Sequence, residues 1–85
     1  MNADDLKAFE AVIRFGVVDG AAAALKISPS DVNARLLKLE KEVGVPLFKG
    51  DAHDIYLTAA GERFLPFALK IAWLLDEAKA CCSRK

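Results

Sequence analysis

The sequence predicts a mainly α fold, a winged helix-turn-helix with a three-helix core, a short β-hairpin wing and a long C-terminal linker/dimerisation helix. Three observations carry that expectation. In Leu36 to Phe48, LLKLEKEVGVPLF, a helical pattern stops at Gly44 and a short apolar segment begins beyond Pro46. In Leu57 to Gly61, LTAAG, a β-favouring segment runs into a helix start at Thr58. Between two longer helical patterns, Ala21 to Ala24 leave almost no side-chain bulk, so a neighbouring helix can approach closely.

Asp4 to Phe15 reads as the first helix. Leu6, Phe9, Val12 and Ile13 recur at helical spacing, and Asp4 and Asp5 place negative charge at the positive N-terminal end. Gly16 stops it. Asp19 is expected to cap a short second helix, Gly20 to Lys26, and Ile27-Ser28 forms the turn. Ser28 then caps a third helix with Pro29 at its first position, where a missing N–H costs nothing. Asp31 follows the cap by three residues, a capping-box-like placement. Val32, Leu36, Leu39 and Val43 form one narrow stripe for the core, while Lys38, Glu40, Lys41 and Glu42 are polar elsewhere on that helix. Gly44 ends it.

Leu47-Phe48 and Ile55-Tyr56-Leu57 read as strands joined by the polar stretch Lys49 to Asp54, the wing. The last helix is expected from Thr58 to about Ala80. Phe64, Ala68, Ile71, Leu75 and Ala78 line one side of it and Leu65, Leu69 and Trp73 another. So wide an apolar perimeter predicts a second partner beyond the domain's own core. Pro66 inside it predicts a kink or local break. The expected division is a winged helix-turn-helix domain over 1–58, a linker/dimerisation helix over 59–80 and a C-terminal tail over 81–85.

Composition narrows the function class. Eighty-five residues with 54% apolar content make one globular domain with one core and no room for a deep catalytic cleft. The single His53 has no partner at motif spacing, and no Gly-rich phosphate loop or paired carboxylates stand out, so no enzyme, cofactor or metal site is expected. No apolar run approaches the roughly 18 residues that span a bilayer, and no signal peptide precedes the first helix, which predicts a cytoplasmic protein without membrane contact. Cys81 and Cys82 are expected to be free thiols in a reducing compartment, with an intermolecular disulfide as the alternative on oxidation. Twelve basic residues balance twelve acidic ones, which is unusual for a nucleic-acid binder.

LEKEVGVPLF with the following LTAAG, preceded by GVVDGAAAALKISPSDVNARLLKLE, closely resembles the N-terminal winged helix-turn-helix DNA-binding domain of LysR-type transcriptional regulators. The resemblance runs from Leu6 to about Ala80. It implies a sequence-specific regulator domain that binds double-stranded DNA as a homodimer, with the third helix in the major groove and the wing on flanking DNA. Carried onto this chain, it assigns DNA contacts to Ser28, Ser30, Asn33, Ala34, Arg35 and Lys38, with Lys49 and His53 in the wing. It assigns dimerisation to the last helix, here Phe64, Phe67, Ile71, Trp73, Leu74 and Leu75. In the family a larger effector-binding domain follows that helix.

The departures lie on the DNA-facing positions. With the apolar stripe inward, the outward face carries Ser30, Ala34, Leu37, Lys38 and Lys41, with Asn33 and Arg35 on its flanks. Ala34 and Leu37 stand where the family has polar or basic residues, and Asp31, Asp51 and Asp54 add charge that phosphates repel. Asn33 suits adenine and Arg35 guanine, but each residue also reads as an ordinary solvated helix position. An alternative therefore stands beside the first: a winged-helix dimer that has lost DNA binding and acts on a protein partner.

Overall fold

Six elements follow one another in the computed structural model, which describes residues 1–51 and 53–83: α1 (Ala3–Phe15), α2 (Val18–Leu25), α3 (Pro29–Val43), β1 (Phe48–Asp51), β2 (Asp54–Leu57) and α4 (Ala59–Ser83). The expected order of helices and hairpin is present. Where boundaries differ, tertiary packing has overridden a local signal. Ala52 of the expected wing loop, and Arg84 and Lys85 of the expected tail, lie outside the described residues.

Asn2 rather than either aspartate caps α1, its Oδ1 accepting the Asp5 N–H at 2.8 Å. Gly16 closes the helix with φ 72°, a left-handed conformation that costs a glycine nothing. The second helix starts two residues before Gly20, so Asp19 lies in its first turn and is not the cap. The cap position is Val17, extended and without a side-chain hydrogen bond. Val18 is only 2% exposed, and seating it in the core sets the helix start more strongly than a polar cap does. The same helix ends at Leu25, and Lys26 adopts φ 59° while its N–H bonds back onto the preceding turn. A non-glycine in that region costs about 1–2 kcal/mol. That cost is borne at the turn that aims α3.

For α3 the sequence signals hold. Ser28 Oγ accepts the Asp31 N–H at 3.1 Å, Pro29 occupies the first position and Gly44 closes the helix at φ 92°. Val32, Leu36 and Leu39 are buried and Val43 half-buried. They meet Leu6, Phe9 and Val12 of α1, Val18, Ala21 and Ala22 of α2, and Leu47 and Ala68. Phe9 is the hub, its ring 5.2 Å from that of Phe48 and 5.3 Å from that of Phe64. One side chain of α1 thereby ties both the wing and α4 to the three-helix core.

The wing is a two-stranded antiparallel hairpin in the register Phe48↔Leu57, Lys49↔Tyr56, Gly50↔Ile55 and Asp51↔Asp54. It reaches further along the polar stretch than the apolar residues alone predicted. Gly50 has φ 96°, and a Cβ there would run into the Asp54 carbonyl. On its open side β2 donates the Ile55 N–H to the Gly16 carbonyl at 3.1 Å, which docks the wing on the end of α1.

Thr58 joins wing to α4. Its Oγ1 accepts the Gly61 N–H at 3.0 Å and donates to the Pro46 carbonyl at 2.8 Å. The last helix continues through Pro66, so of the kink or local break expected there the break is absent, and it ends at Ser83. Pro66 is exposed, and its missing N–H removes one hydrogen bond from a 25-residue helix. Phe64, Leu65 and Ala68 hold the flanking turns to the core, which keeps the segment helical. Among the described residues no helix is long and apolar enough to cross a membrane.

Candidate nucleic-acid interface

The helix pair α2–α3 presents one face of α3 to solvent, and the inward stripe dictates which residues lie on it. Ser30, Asn33, Ala34 and Leu37 are all exposed, at spacing i, i+3, i+4, i+7 from the N-terminal turn. That spacing is the one by which a helix laid in the major groove reaches successive base edges. Lys38 and Lys41 are exposed beside it, and Arg35 is half-buried on the flank. Ser28, also exposed, uses one lone pair of its hydroxyl oxygen on the cap bond to the Asp31 N–H.

Lys38 is not a free cation. Its Nζ lies 3.7 Å from Oδ2 of Asp5, whose side chain is 4% exposed while that of Lys38 is 57% exposed. That carboxylate oxygen accepts no hydrogen bond among the described residues, so the ammonium is its compensating charge. The sequence places Asp5 as a helix-dipole residue and gives no sign of this pairing across 33 positions. The only local hint is that Asp5 precedes Leu6 on the buried side of α1.

In the wing, the Nζ of Lys49 lies 5.3 Å from the centroid of the Tyr56 ring on the paired strand, a cation–π contact that leaves the residue exposed. His53 is exposed near the tip. Asp51, read from sequence as an electrostatic liability, also builds the turn: its Oδ1 accepts the N–H groups of His53 at 2.9 Å and Asp54 at 3.1 Å.

A groove of about 440 Å³ separates wing from α3, lined by Asn33, Leu36, Leu37 and Glu40 on one wall and by Phe48 to Asp51 on the other. Glu40 fixes its width. Its Oε2 accepts the Leu47 N–H at 2.7 Å and the Phe48 N–H at 3.4 Å, pinning the start of β1 to α3. In the sequence Glu40 stands out only as one of the polar residues of α3 away from its apolar stripe. The usable signal was the accounting of backbone donors, because the first N–H groups after Pro46 need acceptors somewhere.

On α4 the expected dimerisation residues divide. Phe67, Trp73 and Leu74 are exposed at 63%, 61% and 56%. Phe64, Ile71 and Leu75 pack partly against the core, and Phe64 meets Phe9 edge-on rather than standing free. Cys81 and Cys82 are exposed near the end of the helix.

Comparison with known proteins matches this arrangement. Residues 3–62 fit the model of the bacterial regulatory helix-turn-helix proteins of the lysR family. The chain is 40% identical over 79 residues to the HTH-type transcriptional regulator YofA of Bacillus subtilis (strain 168), an overlap that covers 93% of this chain and 28% of that protein. It superposes on the crystal structure of a CbnR DBD–DNA complex with a TM-score of 0.84 at 34% identity, covering 96% of this chain and 99% of that one. For the BenM DBD/benA site 1 DNA complex the TM-score is 0.85 at 25% identity, covering 99% and 98%. The chain thus spans little more than a quarter of the regulator it resembles and nearly all of the two DNA-complexed domains. Fold, matched residues and the placement of α2, α3 and wing agree, and the chain belongs to the lysR family of bacterial regulatory helix-turn-helix proteins.

Proposed function

We propose that this chain is the DNA-binding part of a transcriptional regulator, a cytoplasmic homodimer that lays α3 in the major groove of double-stranded DNA. Residues 1–58 form the reading head and residues 59–80 the linker/dimerisation helix. The observation that carries the reading is the exposed Ser30, Asn33, Ala34, Leu37 quartet on a helix clamped at both ends, by the Ser28 cap and by the bonds from Glu40 to β1. The likeness to two domains solved with DNA supports it. Ser30 and Asn33 are the polar base-edge readers, with Asn33 suited to the N6/N7 edge of adenine. Lys26, Lys41 and Lys49 are the phosphate contacts, Ser28 adds a hydroxyl donor at the helix start, and Arg35 and His53 supply flanking contacts. Lys38 contributes through whatever charge Asp5 leaves uncompensated.

Fluorescence anisotropy with labelled duplexes tests this. Binding is expected at ~50 mM salt. If Lys26, Lys41 and Lys49 each neutralise one phosphate, log K falls with log salt at a slope of about −2.7 per protomer. Absence of binding at that salt overturns the proposal. It would favour the other use of the scaffold, a protein-binding dimer whose contact surface includes the exposed Leu37 and Val45.

A further inference from the structure

The centre of the reading face is apolar. Leu37 is 59% exposed and Ala34 is exposed one turn before it, with no charged atom in either side chain. Ser30 and Asn33 lie towards the N-terminus of the same face, and Lys38 and Lys41 beside its C-terminal end. A leucine pressed onto guanine or cytosine would desolvate O6, N7 or N4 without replacing a hydrogen bond, which is unfavourable. Only one group on the major-groove edge of the four base pairs is apolar, the C5-methyl of thymine.

We propose, resting on the DNA-binding reading above, that Ala34 and Leu37 recognise thymine methyl groups, so that the half-site bound by α3 carries thymine under the middle of the helix. The two residues are three positions apart, about 4.5 Å along the helix axis. This is a little more than the 3.4 Å rise of one base pair, so they address neighbouring base pairs. Leu37 also lines the groove between α3 and the wing, so it lies on the wing-facing side of the helix. Ala34, with one methyl carbon, permits the closer approach of helix backbone to DNA. Asn33 beside them supplies the hydrogen-bonded adenine contact, and the three together specify an A·T-rich core rather than a G·C-rich one.

The test uses the 85-residue chain and a randomised duplex pool. The highest-affinity duplex is resynthesised with each thymine in turn replaced by deoxyuracil, which keeps the Watson–Crick edge and removes only the methyl. One or two positions per half-site are expected at which deoxyuracil weakens binding about fourfold, the effect of one buried methyl. Leu37→Ala is expected to abolish the penalty at one position and leave the others, and Ala34→Ser to reduce it at the neighbouring position. Both residues are exposed, so both variants retain the wild-type melting curve. Three results overturn the proposal while leaving DNA binding intact: a selected site without thymine, equal affinity for thymine and deoxyuracil duplexes, or a penalty unchanged in Leu37→Ala. Failure to bind any duplex at ~50 mM salt overturns it together with the reading beneath it.

Discussion

Lys38 on the exposed side of α3 and Asp5 on the buried side of α1 form an ion pair at 3.7 Å, which couples the reading helix to the interior of the domain. A residue that the proposed function sets beside the DNA is therefore also the counter-ion of a buried carboxylate. Lys38→Met leaves Asp5 buried without a partner. Loss of a partner in a fully buried pair costs about 3–5 kcal/mol, and the half-exposed lysine reduces this to about 1–2 kcal/mol. Asp5→Asn in the same background is expected to restore most of the loss, since the Asn2 cap uses only the backbone N–H of residue 5. Urea denaturation of the two single variants and the double variant measures the coupling. Additive effects would show that the two charges do not interact.

The same pair predicts a gain in binding. Asp5→Asn releases the ammonium of Lys38 towards solvent and phosphate. The salt slope is expected to steepen by up to about 0.9 per protomer, with tighter binding at low salt. Anisotropy across a salt series checks this, and an unchanged slope would mean that Lys38 does not reach the backbone.

Glu40 holds the wing at its distance from α3 through two backbone N–H groups. Hydrogen bonds to a charged acceptor contribute about 1.5–3 kcal/mol, so Glu40→Ala is expected to lose roughly that much, and Glu40→Gln, which keeps an acceptor oxygen, distinctly less. Amide hydrogen exchange localises the effect. In Glu40→Ala, Leu47 and Phe48 should lose protection ahead of the α1 amides. Uniform loss across the domain would instead indicate a general destabilisation.

These pairings mark where the sequence stops being readable. The Ser28 cap, Pro29 after it, the Gly16 and Gly44 stops and the Val32/Leu36/Leu39 stripe are signals confined to a few neighbouring residues, and each appears in the structure. The exposure of Ser30, Ala34, Leu37 and Lys38 followed directly, because fixing the buried side of a helix fixes the opposite side. What was not readable depends on residues distant along the chain. The Asp5–Lys38 pair joins two helices, the start of α2 follows the seating of Val18 in a core made by other elements, and the Glu40 clamp depends on where β1 lies. Pro66 is the converse case. Its local signal is for a kink or a break, and packing by Phe64 and Ala68 on either side keeps the helix continuous through it.

Gly61 offers a check on the joint between wing and α4. A Cβ there would run into the Leu47 carbonyl, which also accepts the Thr58 N–H at 3.0 Å. In an ordinary helix interior Gly→Ala stabilises by about 0.5–1 kcal/mol. Here the sign is expected to reverse, because the obstacle is backbone that cannot rotate away. A melting temperature for Gly61→Ala below that of the wild type confirms the close approach, and a rise contradicts it.

The division of the apolar residues on α4 predicts two different phenotypes from similar substitutions. Phe67 and Leu74 lie seven residues apart, two turns along one line of the helix, and both are more than half exposed. Phe64 is in edge contact with Phe9 inside the core. A Phe67→Glu/Leu74→Glu variant is expected to keep its helical signal, and to melt like the wild type at low protein concentration, because neither side chain contributes to the monomer's buried core. It should sediment as a monomer at high micromolar concentration, where the wild type is expected to sediment as a dimer, and it should lose affinity for a two-half-site duplex while keeping that for a single half-site. Phe64→Ala, by contrast, removes an aromatic contact to the hub residue and is expected to lower stability by about 3 kcal/mol, reduced in proportion to its partial exposure. A wild-type chain that is monomeric under the same conditions would remove the dimer. A folded, dimeric Phe67→Glu/Leu74→Glu variant would instead move the contact to another part of α4, with Trp73 and Leu69 the remaining exposed candidates.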